Sequence, residues 1–200
     1  MVRDLTGPGD PTFRPLTPDV WDAFECLFGS NGACGGCWCM LWRLGRREFD
    51  QQKGDGNRAA LRTLVEGGVT PGILAFSGTD AIGWCAVAPR NDYPALARSR
   101  VLKPVDSQPV WSVSCLFIAR AHRRQGVSVR LLRAAVNHVA RQGGRIVEGY
   151  PVEPKTTDMA PAFAWTGTAS AFLKAGFHEV ARNSDTRPIM RFEIAGEHQS

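Results

Sequence analysis

The sequence predicts a mixed α/β domain, and three observations carry that prediction. Apolar runs of strand length recur along the chain, one helix-length stretch gathers its apolar residues on a single stripe, and glycines stand where these segments end. The 200 residues, 44% of them hydrophobic, suffice for one domain with a real core and are short for two. The expected organisation is a loose leader over residues 1–11, one domain over 12–194 and a tail over 195–200.

The elements follow in order. Residues 12–16 (TFRPL) suit a short first strand. Thr17-Pro18-Asp19 has the form of a helix start, with Thr17 as N-cap and Pro18 in the first turn. Val20, Phe24, Leu27 and Phe28 then recur at helical spacing until Gly29. Residues 29–42 (GSNGACGGCWCMLW) have no clear period. A second helix is expected from Asn57, with Ala60, Leu61, Leu64 and Val65 on one face and Gly67-Gly68 as its stop. Residues 72–76 (GILAF) and 81–88 (AIGWCAVA) flank a glycine-bearing turn and predict a hairpin. The polar stretch at 89–109 suits a long loop with room for a short helical piece, and VWSVSCLFI after it is an apolar run that suits a central strand. Val127, Leu131, Leu132, Ala135, Val136 and Val139 make the clearest amphipathic stripe, closed by Gly143-Gly144. A strand at 145–150, a short helix at 168–174 and an antiparallel pair at 178–182 and 187–194 complete the order β-α-α-β-β-β-α-β-α-β-β.

Charge and cysteine content narrow the function classes. No run of 18 apolar residues occurs, so no membrane span is expected. Six cysteines without the apolar core of a signal peptide suggest reduced thiols and a cytoplasmic location. The formal net charge of +5 is uneven, since Arg120, Arg123, Arg124, Arg130 and Arg133 crowd together. Such a cluster suits a phosphorylated ligand or a nucleic acid.

The glycine inside that cluster favours the compact anion. Arg123-Arg124-Gln125-Gly126-Val127-Ser128 lies between an apolar strand and the amphipathic helix. A helix start exposes unpaired N–H groups and a partial positive charge, and a glycine lets the backbone approach a phosphate closely. The amides of residues 124–129 are expected to share one concavity.

This strand, loop and helix resemble the GNAT acetyltransferases, whose signature is Arg/Gln-x-x-Gly-x-Gly/Ala. Ser128 replaces the usual final small residue. Lys174-Ala175-Gly176-Phe177 resembles the family's second motif, and the strand order over 12–194 also fits. The resemblance implies the GNAT fold: a central mixed, mostly antiparallel twisted sheet of about seven strands, splayed between the fourth and fifth, flanked by about four helices. It implies acetyl-CoA as co-substrate, its pyrophosphate on Arg123, Arg124, Gln125, Gly126, Val127, Ser128 and Val129. The pantetheine arm would pair with the strand backbone at Leu116, Phe117 and Ile118. The implied reaction is direct acetyl transfer to a primary amine of a small molecule. No nucleic acid, membrane or metal is expected, and a homodimer is compatible with a family in which dimers are common.

The usual catalytic groups are not where the family carries them. Counting back from Gly176-Phe177 places Phe172 at the position of a common Tyr, and counting back from Arg123 places Ser112 at that of a common Glu. Glu148 and Tyr150 are the substitutes, on one face of a strand beside the splay. Glu148 would serve as base and Tyr150 as thiolate donor; alternatively Glu148 pairs with an Arg and Tyr150 packs in the core. Trp38, Met40 and Trp42 would wall the acceptor pocket, or else plug the core. Trp165 could also face the acceptor. Cys34, Cys37 and Cys39, with Cys26 upstream, have spacings that zinc can use, but no nearby His or matching Cys pair completes a set. Two other readings stand beside the enzyme: a GNAT-fold acyl-CoA binder with little turnover, and a basic nucleic-acid-binding module.

Overall fold

The computed structural model of the chain describes residues 10–153 and 165–195. Most of the expected leader (1–9), most of the tail (196–200) and residues 154–164 lie outside the described residues.

Strand β1 (Thr12–Pro15) leads through a 3-10 turn (Pro18–Val20) into α1 (Trp21–Phe28). Helices α2 (Arg46–Gln51) and α3 (Asp55–Glu66) precede the hairpin β2 (Gly72–Ser77) and β3 (Asp80–Pro89). A short α4 (Pro94–Ala97) interrupts the polar stretch before β4 (Trp111–Ile118). Then come α5 (Val127–Arg141), β5 (Ile146–Gly149), α6 (Ala169–Ala175), β6 (His178–Arg182) and β7 (Pro188–Glu193).

Three local expectations are corrected. Thr17 does not cap the first helix; its hydroxyl donates instead to Asp19 Oδ1 at 2.5 Å. The second expected helix starts at Asp55 rather than Asn57, and Asn57 is fully buried with its side-chain amide donating to Gly36 O at 3.0 Å. The four expected helices are present, joined by the short α2 and α4. Each of these two buries a single apolar residue, Phe49 or Leu96, so neither leaves a periodic stripe in the sequence.

The seven strands form one sheet in the order β1-β2-β3-β4-β5-β7-β6. Every neighbouring pair is antiparallel except β4 and β5. That parallel pair is short: Trp111, Ser112 and Val113 face Val147, Glu148 and Gly149, and there the pairing stops. Strand β4 continues for five more residues without β5, so the expected splay is real. A β-bulge helps to open it. Ala86 pairs with Cys115 and Val87 with Val113, leaving Ser114 as the extra residue in β4.

Helices cover both faces. The apolar stripe of α5 packs with α6 on Val113, Val147 and Met190. Each fully buried leucine of that stripe, Leu131 and Leu132, contributes about 1.5–3 kcal/mol. On the other face Phe24 and Phe28 of α1 and Leu61 of α3 pack on Leu74 and Trp84. Phe172 of α6 lies directly on Gly149, where an added Cβ would sit 2.1 Å from the ring. A glycine at 149 is what lets α6 close over the end of β5.

Candidate functional site

At the C-terminal end of β4 the chain makes a 3-10 turn (Arg120–His122) and enters α5 through a loop with two left-handed residues. Arg124 has φ 62° and Gly126 φ 74°. For arginine that conformation costs about 1–2 kcal/mol, strain of the kind that collects at functional sites. Gly126 adopts it freely, and open space surrounds the position its Cβ would occupy. The Gly126 carbonyl starts the helix by accepting from Val129 N–H at 3.1 Å and Arg130 N–H at 3.2 Å. No side chain caps α5. Among the described residues, the N–H groups of residues 124–128 therefore have no acceptor. A row of free amides at the start of a 15-residue helix is an arrangement that can receive an anion.

Side chains rivet this loop in place. Arg123 Nε donates to Ile118 O at 2.9 Å, Gln125 Nε2 to Ala121 O at 2.9 Å and Arg130 Nη2 to Gln125 O at 3.1 Å. The Arg124 guanidinium has no partner among the described residues. The loop opens into a cavity of about 470 Å³ that runs past Leu116, Phe117 and Ile118 to Trp165 and Thr168, with Ala33 and Cys34 at its rim. Eight of the ten residues expected at the cofactor line this cavity. Gln125 is turned back to Ala121, and the Val129 amide is spent inside the helix, so the concavity ends at Ser128.

The backbone of the open β4 edge is partly engaged. Ala119 N–H bonds to Ile82 O at 2.9 Å, so the antiparallel alternation turns the backbone groups of Leu116 and Ile118 away from β3 and into the splay. There Leu116 N–H donates to Trp165 O at 2.7 Å. The segment before α6 thus reaches into the gap that β5 leaves.

Glu148 and Tyr150 lie at the closed end of the splay, both fully buried. Glu148 accepts from Arg90 Nη1 at 3.0 Å and Arg191 Nε at 2.8 Å. The Tyr150 hydroxyl donates to Glu148 Oε1 at 2.7 Å, sits 2.8 Å from Ser112 Oγ and also meets Arg90. Burial, reinforced by the negative charge of Glu148, pushes the Tyr150 hydroxyl well above its ordinary value. Arg191 continues the network to Asp106 at 2.6 Å, whose carboxyl it holds down at about 2. Ser112, at the position of the usual carboxylate, is thus a partner of Tyr150. Phe172, at the position of the usual tyrosine, is fully buried against Gly149 and Phe177. A second cavity of about 850 Å³ opens beyond this network, lined by Arg90, Trp111 and Arg145, at the end of β4 away from the anion loop.

Residues 29–45 divide by burial. Trp38 and Met40 fill the core beside Phe24 and Phe28, while Trp42 stays half-exposed, its ring 6.1 Å from that of Trp165. Trp38 and Cys39 both have positive φ, 46° and 56°. Cys26 and Cys34 are exposed; Cys37 is half-buried, its thiol pushed up to about 11 by burial; Cys39 accepts from Trp84 Nε1 at 3.1 Å. Among the described residues no three His, Cys, Asp or Glu side chains converge as metal ligands.

The sequence reading missed four groups: Trp42 Nε1, Arg43 Nη2, Tyr93 Oη and Ser114 Oγ are buried polar atoms with no hydrogen-bond partner among the described residues. Trp42 was expected to wall a pocket through its ring, not to offer a donor. Arg43 and Tyr93 come from irregular segments with no local signal, and Ser114 is marked only by the bulge.

The family model for the Acetyltransferase (GNAT) family matches residues 38–158. The chain belongs to the GNAT acetyltransferase family. Its fold recurs in a Desulfovibrio desulfuricans protein described as a GNAT-family acetyltransferase, at 18% identity and a TM-score of 0.53, with 92% of this chain and 99% of the other covered. It recurs in the PaiA N-acetyltransferase of Thermoplasma acidophilum, solved in complex with coenzyme A, at 12% identity and a TM-score of 0.52 over 92% and 99% of the two chains. It recurs again in yncA of Salmonella typhimurium, described as an acetyltransferase with its cofactor acetyl-CoA, at 12% identity and a TM-score of 0.50 over 96% and 97%. At these identities the likeness is one of fold. No curated protein matches the chain in sequence. Among the described residues no helix is long and apolar enough to cross a membrane.

Proposed function

We propose that the protein transfers the acetyl group of acetyl-CoA to the primary amine of a small molecule. One observation carries the reading: the left-handed Arg124 and Gly126 set a row of unpaired amides at the start of α5, facing the cavity beside the splay. Family membership and the coenzyme A and acetyl-CoA of two fold relatives support it. The residues present fit the cofactor. The amides of residues 124–128 would hold its pyrophosphate, with the partner-free Arg124 adding charge. The edge at Ile118 would take the pantetheine arm, Leu116 becoming available once Trp165 releases it.

A bound acetyl thioester supplies the activated acyl carbon. The chain holds an acceptor nitrogen against that carbon, the N–C bond forms as the C–S bond breaks, and the thiolate and the amine proton are released to solvent. Positioning of this kind suffices for an amine that arrives neutral. Glu148 and Tyr150, the candidate proton carriers, fit a positioning role better, because every oxygen of both is already engaged. They fix β4 to β5 where the splay begins.

The test is thiol release from acetyl-CoA over a panel of primary amines. Release above the rate of hydrolysis with at least one amine is the expected result. Tight acetyl-CoA binding with no release over the whole panel would favour an acyl-CoA binder instead.

A further inference from the structure

Six side-chain polar atoms of the described residues are buried without a hydrogen-bond partner, among them Trp42 Nε1, Arg43 Nη2, Tyr93 Oη and, at the β4 bulge, Ser114 Oγ. Their neighbourhood is fixed by several contacts. The Arg43 guanidinium lies over the Tyr93 ring, 4.7 Å from its centroid. Burial pushes the Tyr93 hydroxyl up to about 12, opposed by the Arg43 charge and by the neighbouring Ser114 hydroxyl. Trp42 packs in the same apolar cluster as Tyr93 and stands against Trp165, which lines the cavity of the anion loop. Side-chain exposure is 8% for Arg43, and residue exposure is 1% for both Tyr93 and Ser114. Asp92 Oδ2, 41% exposed, lies 3.8 Å from Arg43 Nη1, and Nη2 has no partner among the described residues.

The chemistry of the four atoms is one-sided. Arg43 Nη2 and Trp42 Nε1 can only donate, and the two hydroxyls can each donate as well. A buried guanidinium N–H without an acceptor is costly, and so is a buried indole N–H, so Arg43 and Trp42 call for an acceptor beside the two hydroxyls. The guanidinium fork and the neighbouring donors match the oxygens of a carboxylate. Ser114 sits where β4 and β5 part, two residues before Leu116 at the floor of the cavity. A group held here would stand beside the acyl carbon.

We infer that Trp42, Arg43, Tyr93 and Ser114 form a carboxylate subsite, and that the acceptor is an α-amino acid or another amine carrying a carboxylate close to its nitrogen. This rests on the acetyltransferase reading above. The half-exposed Trp42 and Trp165 rings would flank the acceptor's side chain.

The test pairs each of the proteinogenic L-amino acids with its decarboxylated amine and its amide, and measures thiol release at saturating acetyl-CoA. At least one amino acid should exceed both partners by about a hundredfold in kcat/KM, the scale of a lost buried charge-assisted contact. Arg43→Met should abolish that preference, lowering the amino acid's kcat/KM about a hundredfold relative to that of its decarboxylated amine, with acetyl-CoA affinity reporting that the fold is intact. Tyr93→Phe should reduce the preference less and serves if Arg43→Met does not fold. Equal rates with and without the carboxylate, no release with any amino acid, or an equal loss for amine and amino acid in the variants would overturn the inference. Failure of the wild-type protein to bind acetyl-CoA would instead overturn the underlying reading.

Discussion

The two ends of β4 treat polar groups in opposite ways. At the C-terminal end, strained Arg124 and left-handed Gly126 hold a row of amides that nothing in the described chain satisfies. At the N-terminal end, Glu148 and Tyr150 are closed into a ring of partners from the turn after β3, from β4 and from β7, with no side-chain oxygen left over. Proteins rarely leave buried or concave polar groups unpaired without a use for them. The difference supports the proposal that the loop receives a ligand while Glu148 and Tyr150 hold the sheet. The orphaned donors at the bulge, between the two ends, side with the first.

The largest expected effect breaks the closed end. Glu148→Gln removes the charge between Arg90 and Arg191, and losing one partner of a buried ionic cluster costs about 3–5 kcal/mol. The melting temperature should fall by about 10 °C, with coenzyme A affinity unchanged. A variant that keeps its stability but loses turnover would show that Glu148 acts as a base.

The next effect breaks the open end. Gly126→Val places a β-branched residue at φ 74° and a side chain in the anion concavity. Coenzyme A affinity should drop about a hundredfold by calorimetry, equivalent to about 2.7 kcal/mol, while the fold loses only about 1–2 kcal/mol.

These two predictions rest on features of unequal legibility in the sequence. The strand, glycine turn and helix around Gly126 were visible because their cause is local: a glycine, an apolar strand before it and a 3.6-residue stripe after it. The hairpin and the seven strands followed from equally local patterns, whereas the splay came only with the family resemblance. The closed network was only half visible. Glu148 and Tyr150 are two residues apart and could be placed on one face, but Arg90 and Arg191 reach them across 58 and 43 positions. The orphan cluster was hidden further. Arg43 follows a segment in which Ala33, Trp38 and Cys39 take positive φ, a path no propensity indicates, and Tyr93 lies in a stretch that read as a loop.

A smaller effect sharpens the comparison at the closed end. Tyr150→Phe removes one hydroxyl from the network and should cost about 1–3 kcal/mol, because it leaves polar partners short. The pH dependence of kcat should not shift. Movement of its basic limb would assign Tyr150 a proton-transfer role.

The smallest effect concerns pH. Burial, with a lesser contribution from Arg141, lowers His138 below its ordinary 6.5. The unfolded chain therefore takes up this proton first, so the contribution of neutral His138 is fully present above about pH 6.5 and declines as pH falls below it. Stability measured from pH 7.5 to 5 should fall less steeply in His138→Phe, which keeps an aromatic ring against Trp111. Parallel curves for the two proteins would contradict the assignment.

The central claim is that the row of amides at the start of α5 holds a pyrophosphate. The most direct measurement compares the affinities of coenzyme A and of pantetheine, which lacks the pyrophosphate, for the wild-type protein by titration calorimetry. Coenzyme A should bind at least about a hundredfold more tightly. Equal affinity for the two, or no binding of coenzyme A, would contradict the assignment of the loop.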